Sequence, residues 1–115
     1  MPFPTPNPHH KDMDKIAAFH EILQFDPNNA FARYGLAMEH IGQGNTDKGL
    51  EEFTTLISLN PDYVPAYQMS AQNLAKLGRT DEALDRLHNG IAAANRTNNQ
   101  HALAEMEGLH EELTA

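Results

Sequence analysis

The stretch GNTDKGLEEFTTLISLNP, residues 44–61, decides the fold because its pattern returns 34 residues later as GRTDEALDRLHNGIAAAN, residues 78–95. In register, the two copies share a glycine, a Thr-Asp pair, a leucine and an isoleucine. The same spacing separates Pro27 from Pro61 and Ala37 from Ala71. A helix-turn-helix unit of this length cannot bury its apolar face alone, so it stacks on its neighbours. The period therefore predicts stacked helices and indicates an interaction surface rather than a reaction centre.

The composition is that of one folded soluble domain. The chain has 115 residues, of which 40% are apolar, and a formal net charge of −8. This acidic balance argues against nucleic acid and anionic membrane surfaces as partners. The absence of cysteine excludes disulfides and thiolate chemistry. Because no apolar run approaches the ~20 residues of a spanning helix and the N-terminus does not resemble a signal peptide, we expect a cytoplasmic protein.

The first residues differ in character from the rest of the chain. Prolines at positions 2, 4, 6 and 8 predict an extended, mobile leader over residues 1–11 that cannot be helical. A proline-rich ligand for another protein is the alternative for this segment. Residues 12–115 then form the folded domain.

Turn residues divide residues 12–115 into six helices and no strand. The expected helices span about 12–25, 29–42, 46–58, 63–77, 80–94 and 100–113, with a polar loop at 95–99. Side chains of Asn28 or Asn29, Asn45 or Thr46, and Thr80 are the expected N-caps of the second, third and fifth helices. Gly44 and Gly78 are expected to take the left-handed conformation that ends a helix.

Fixed slots in each 34-residue unit hold aromatic, small and proline residues. The unit 30–63 carries the pair Leu36-Ala37, then Phe53, then the closing Pro61. The unit 64–97 carries counterparts of these slots at Tyr67, Ala71, Ala83 and Leu87. This pattern resembles the tetratricopeptide repeat family.

The resemblance implies an all-α fold, a short tetratricopeptide-like helical repeat (an α-solenoid) of two full helix pairs flanked by one helix at each end. Phe19 and Pro27 match a lone second helix before the first full pair, and the last helix looks like a cap. The pattern is broken at four slots, occupied by Arg33, His40, Ser70 and Asn95.

Small residues mark the places where helices should cross closely. Ala37 and Gly49 hold two such slots in the first pair, and Ala71 and Ala83 hold them in the second. Gly90 lies inside the fifth helix, where glycine costs about 1 kcal/mol against alanine. A neighbouring helix is therefore expected to pass close to Gly90.

The family uses the first helix of each pair to line a concave groove that binds extended peptides or partner helices. The resemblance thus implies a non-catalytic protein–protein interaction module, or scaffold, without a cofactor. The expected groove residues are Phe31, Tyr34, Met38, Ile41, Tyr63, Gln68, Gln72 and Lys76. The carboxylate clamp of heat-shock co-chaperones is excluded, because Tyr34 and Met38 stand where that clamp needs lysine and asparagine.

Two alternatives remain open at this point. Phe31 and Tyr34 could instead pack on the first helix, which would leave Met38 and Tyr63 as the more exposed pair. The alternative function is a structural or assembly role, in which the protein forms a weak homodimer or otherwise self-associates through its exposed repeat ends.

Seven histidines invite a metal hypothesis. The pairs Asp85/His88 and Glu107/His110 have the acid-x-x-His spacing of carboxylate-bridged metal bundles. The further inward carboxylates of such sites are absent from the pattern, so we interpret these residues as solvated and expect no enzymatic activity.

Overall fold

A computed structural model describes the backbone of residues 8–115 and the side chains from residue 14 onward. In this part of the chain all regular structure is helical: α1 Pro8–Phe25, α2 Ala30–Gly42, α3 Thr46–Leu59, α4 Val64–Lys76, α5 Thr80–Arg96 and α6 Gln100–Thr114. The predicted all-α repeat, with two helix pairs between single helices, is confirmed. The chain divides into two compact units, an N-terminal unit that ends at Glu52 and a C-terminal unit, Phe53–Ala115.

The beginning of α1 differs from the prediction. The helix begins at Pro8 rather than at residue 12, so the expectation that proline keeps residues 8–11 extended is wrong. Proline is tolerated in the first turn of a helix, where its missing N–H would have no intrahelical partner. The rest of the predicted leader, residues 1–7, lies outside the described residues.

Several helix ends follow the predicted capping chemistry. Asn29 caps α2, since its Oδ1 accepts a hydrogen bond from the backbone N–H of Ala32 at 2.8 Å. Asn99 caps α6 in the same way, accepting from Ala102 at 3.1 Å. Gly44 and Gly78 have φ of 86° and 74°, which confirms the left-handed residues that terminate α2 and α4.

The N-terminus of α5 corrects another prediction. Thr80 is the first helical residue, and Arg79 holds the N-cap position without a side-chain capping bond. The Arg79 guanidinium donates to Glu82, with 2.9 Å between Nη2 and Oε1. This hydrogen bond lowers the pKa of the Glu82 carboxyl.

The C-terminus of α5 lies further along than residue 94. The helix runs to Arg96, so the predicted loop 95–99 shrinks to residues 97–99. Arg96 donates to Asp62 Oδ1 at 2.9 Å and to the Pro61 carbonyl at 3.3 Å. These bonds hold the last turn of α5 against the turn before α4.

Packing in the N-terminal unit depends on close approaches to glycine. A Cβ on Gly35 of α2 would lie 2.7 Å from Cε1 of Phe19, so the Phe19 ring of α1 fills the space beside this glycine. A Cβ on Gly49 of α3 would lie 2.8 Å from the Ala37 carbonyl oxygen. The small pair Ala37 and Gly49 therefore does mark a close crossing of α2 and α3.

The C-terminal unit is built from α4, α5 and α6. A Cβ on Gly90 of α5 would lie 2.6 Å from Tyr67 Cβ and 2.7 Å from Met106 Sδ. Gly90 is thus close to α4 on one side and α6 on the other, as its position inside a helix predicted. The buried Tyr67 side chain donates its hydroxyl to the Pro61 carbonyl at 2.6 Å. The cluster of buried residues comprises Val64, Tyr67, Ala71, Leu87, Ala93, Ala94, Ala102 and Met106.

Candidate functional site

The exposed face of α2 begins with an aromatic side chain in solvent. Phe31 is 73% exposed, and Tyr34 and Met38, three and seven residues further along, are partly exposed. Phe31, and not the Met38 and Tyr63 pair favoured by one reading of the sequence, is the open aromatic side chain. We call Phe31, Tyr34 and Met38 the α2 face.

Ile41 completes the predicted apolar stripe but has a second role. A Cβ on Gly49 would lie 3.0 Å from Ile41 Cδ1, so this side chain packs where α3 crosses α2. Ile41 is partly exposed and is shared between the stripe and the helix pair.

The opposite side of α2 is buried and holds the helix in place. Ala32, Leu36 and Ala37 are fully buried. The Arg33 guanidinium donates to Glu52 Oε2 at 2.8 Å and to the Pro27 carbonyl at 3.1 Å. These bonds tie the first turn of α2 to α3 and to the preceding turn, so Phe31 is presented from a fixed backbone.

His40 is a buried polar residue on this inner side. It is 7% exposed, and its Nδ1 has no hydrogen-bond partner among the described residues. Burial is the main cause that lowers the pKa of His40, and Lys48 and His20 act in the same direction against Glu52. His40 is therefore kept neutral and serves the packing of this unit.

In the C-terminal unit, the predicted Gln68 is connected to α6. Its Nε2 donates to Glu105 Oε2 at 2.6 Å, and Glu105 Oε1 lies against Nε2 of the exposed His101. Glu105 and His101 were not among the residues predicted from the sequence. Gln72 is partly exposed on the same helix as Gln68, and Lys76 is exposed.

Tyr63 lies at the edge of a recess of about 600 Å³ in the same unit. The recess is formed by residues 62–65 before and within α4 and by residues 97–101, which end in His101. His101 thus joins this recess to Glu105 and Gln68. These four side chains, Tyr63, His101, Glu105 and Gln68, form what we call the α4–α6 face.

The histidines considered as metal ligands do not form a metal site. His88, Glu107 and His110 line a recess of about 240 Å³ together with Ile91. In the part of the chain with described side chains, no group of three or more histidine, aspartate or glutamate residues could hold a metal ion. Asp85 is exposed, as predicted.

Comparison with known proteins identifies the family. A family model described as tetratricopeptide repeat matches residues 40–106, more than half of the chain. The chain belongs to the tetratricopeptide repeat family. A tetratricopeptide repeat domain protein from Salinibacter ruber, solved by NMR, is 34% identical with a TM-score of 0.72, and the match covers 76% of this chain and 89% of that one. The tetratricopeptide repeat is a generally non-catalytic fold, and a protein-interaction module is the class of function that it supports.

Longer proteins contain a similar segment. DnaJ homolog subfamily C member 3 from Mus musculus and from Homo sapiens are each 32% identical to this tetratricopeptide repeat chain over 72 residues. That match covers 63% of this chain but only 14% of either relative.

Two solved structures share the fold at lower identity. PcrH, in complex with the chaperone binding region of PopD, has a TM-score of 0.81 at 18% identity and covers 90% of this chain and 79% of its own. The Yersinia enterocolitica type III secretion translocator chaperone SycD has a TM-score of 0.79 at 15% identity, covering 90% and 72%. Over the described residues, none of the six helices has the length and apolar character needed to cross a bilayer.

Proposed function

We propose that this chain is a non-catalytic protein-binding module that captures an extended peptide or a helix of a partner protein along the first helix of each repeat, α2 in one unit and α4 in the other. The observation that carries the proposal is the 73% exposure of Phe31, an aromatic side chain held in water by a helix whose other side is buried. Exposed aromatic side chains on a rigid element are typical anchors for a partner.

The α2 face supplies the apolar part of the proposed contact. Phe31, Tyr34 and Met38 follow one another along one side of the helix. Met38 adds an adaptable side chain, which suits partners that differ in shape. We propose that an apolar side chain of the partner packs against these three residues.

The α4–α6 face supplies polar contacts. Gln68 uses its amide N–H on Glu105, which leaves its carbonyl oxygen to accept from a peptide N–H. Gln72 is partly exposed and carries both a donor and an acceptor. Such groups recognise the backbone of an extended partner, whereas the apolar anchor selects a side chain.

Proteins of the same fold give a precedent for this kind of contact. PcrH was crystallised with the chaperone binding region of PopD, which is a segment of another protein. SycD is described as a translocator chaperone. The likeness supports capture of a protein segment and leaves the partner of this chain to experiment.

A matched pair of variants tests the proposal. Phe31→Ala removes the exposed aromatic of α2, and Phe25→Ala removes one that is 85% exposed at the end of α1. Each tagged variant and the wild type capture proteins from a lysate of the source, and the captured proteins are quantified by mass spectrometry. We expect Phe31→Ala to lose the specific partner about tenfold or more, in line with a loss of over about 1.4 kcal/mol at an anchor.

The Phe25→Ala control should retain that partner. Equal losses in both variants would show that exposed aromatic surface in general, rather than the α2 face, causes the capture. Unchanged capture by Phe31→Ala would remove the α2 face from the proposal. Helical content measured by circular dichroism verifies that both variants are folded.

A further inference from the structure

The last helix is displaced by two residues from the 34-residue period. The helices α2 and α4 begin at Ala30 and Val64, 34 residues apart, but α6 begins at Gln100, 36 residues after Val64. The buried residues of α6 follow the new spacing, because Ala102 and Met106 come 36 residues after the buried Ala66 and Ser70. In this register α6 is a first helix of a repeat.

The register identifies which side of α6 a second helix would cover. In the first helices, Ala37 and Ala71 are the small residues at the crossing with the second helix. The corresponding residue of α6 is Glu107, which is exposed at the recess with His88, Ile91 and His110. Among the described residues no helix covers this side of α6, and it carries a carboxylate where the other repeats carry a methyl group.

The recess has a filled counterpart one repeat earlier. His88 corresponds to Thr54 of α3, and Thr54 accepts a hydrogen bond from Arg86 of α5. The second helix of the pair therefore reaches this position in the C-terminal unit. The open recess at His88, Glu107 and His110 is the place that a further second helix would occupy.

The first helix has the opposite character. Phe19 of α1 stands 34 residues before Phe53 of α3, so α1 is a second helix of a repeat. Its crossing slot, equivalent to Gly49, is occupied by Lys15. The Lys15 side chain is 53% exposed, and its Nζ lies a loose 3.7 Å from Glu39. Where a first helix would cross it, α1 thus presents a cation.

We propose that α1 of one copy of this chain docks on α6 of a second copy, so that a first helix and a second helix from different molecules complete one repeat. At the crossing, Lys15 of one molecule pairs with Glu107 of the other. The occupant is argued from charge complementarity: the two slots that hold small residues in the internal pairs hold opposite charges on these two uncovered sides.

Other slots fit the same arrangement. Gly90 of α5 contacts Tyr67 of α4, and the corresponding residues are Ile22 of α1 and Leu103 of α6. Ile22 is 41% exposed, and Leu103 is partly exposed. An apolar contact between Ile22 and Leu103 would therefore lie beside the Lys15–Glu107 pair.

The contact is heterologous, since it joins two different surfaces. Such contacts either close into a ring or extend without a fixed number of copies. Lys15 and Glu107 are longer than the alanine and glycine of the internal crossings, so the helices should lie towards the wide end of the usual separation of about 8–10 Å. With a net charge of −8 on each copy, association should be weak and should depend on salt.

Charge exchange tests this contact on the full chain. Lys15→Glu and Glu107→Lys are each examined alone and as an equimolar mixture by sedimentation equilibrium, from about 10 µM to about 1 mM, the range of weak association. We expect each variant alone to associate on the order of tenfold more weakly than the wild type. The mixture should recover association, because the carboxylate introduced in one variant then meets the ammonium group introduced in the other.

Controls and contrary outcomes are specific. Lys48→Glu and Glu112→Lys make the same charge changes at exposed positions of α3 and α6 and should leave association unchanged. A wild type that stays monomeric up to about 1 mM overturns the proposal, and so does a defect of Glu107→Lys that the Lys15→Glu variant does not rescue. Lys15 and Glu107 lie outside the α2 and α4–α6 faces, so self-association and partner capture can fail separately.

Discussion

Gly90 is the residue at which α4, α5 and α6 approach one another most closely. Alanine at this position should destabilise the protein by about 1–3 kcal/mol, because its Cβ would overlap Tyr67 Cβ, which lies next to the backbone and cannot rotate away. The gain in helix propensity of up to about 1 kcal/mol does not offset this overlap. Urea unfolding followed by circular dichroism measures the change.

Gly108 provides the matched control for Gly90. It also lies in a helix, α6, but a Cβ there would meet nothing within 4 Å. Gly108→Ala should therefore stabilise the protein by up to about 1 kcal/mol. Equal stabilities for the two variants would contradict the close approach at Gly90.

His40 gives the N-terminal unit a defined dependence on pH. Its pKa in the folded protein is lowered from 6.5, so the unfolded chain binds more protons at mildly acidic pH. The stability that neutral His40 contributes is complete above pH 6.5 and is lost as the pH falls through the lowered folded pKa.

The variant His40→Leu isolates this contribution, since Leu74 fills the same slot one repeat later. Unfolding free energies of wild type and variant are compared between neutral and mildly acidic pH. We expect the wild type to lose stability relative to His40→Leu as the pH falls. A parallel decline of both proteins would show that other histidines cause the effect.

At the scale of elements, the cap of α2 is the point where local sequence contributes most to stability. Asn29→Ala removes the hydrogen bond to Ala32 and should cost about 1 kcal/mol. Asn28→Ala, at the exposed neighbouring residue, should change the unfolding free energy little. If the two variants are equally stable in urea unfolding, the side chain of Asn29 does not act as a cap.

Element boundaries could be predicted where the cause is local. Asn29, Gly44 and Gly78 announce helix ends because a cap needs only its own side chain or its own φ. The end of α5 could not be predicted in the same way, since Arg96 is held by Asp62, 34 residues away in sequence. The start of α1 was misjudged because proline was treated as a helix breaker where it stands in the first turn.

Candidate site residues divide along the same line. The helical spacing of Phe31, Tyr34 and Met38 was readable from the sequence, but their relative exposure depends on packing and was not. Glu105 was missed because the period places it at a small slot of the third unit. Only the two-residue shift of α6 shows that Glu107 holds that slot, which leaves Glu105 to accept from Gln68.

For the whole molecule, the 34-residue period explains the all-α architecture and the family, while the departures from the period give it individual surfaces. The α2 face depends on one exposed aromatic, and the ends of the chain carry charges where the internal repeats carry small residues. A single partner segment should bind the α2 face with an affinity around micromolar, about −8 kcal/mol.

The most direct test is an NMR titration of the ¹⁵N-labelled chain with the partner segment recovered in the capture experiment. The account predicts that the largest backbone shifts fall on Phe31, Tyr34 and Met38, with smaller shifts at Gln68 and Gln72, and that Phe31→Ala weakens binding about tenfold or more. Shifts that avoid these residues, with full affinity retained in Phe31→Ala, would contradict it.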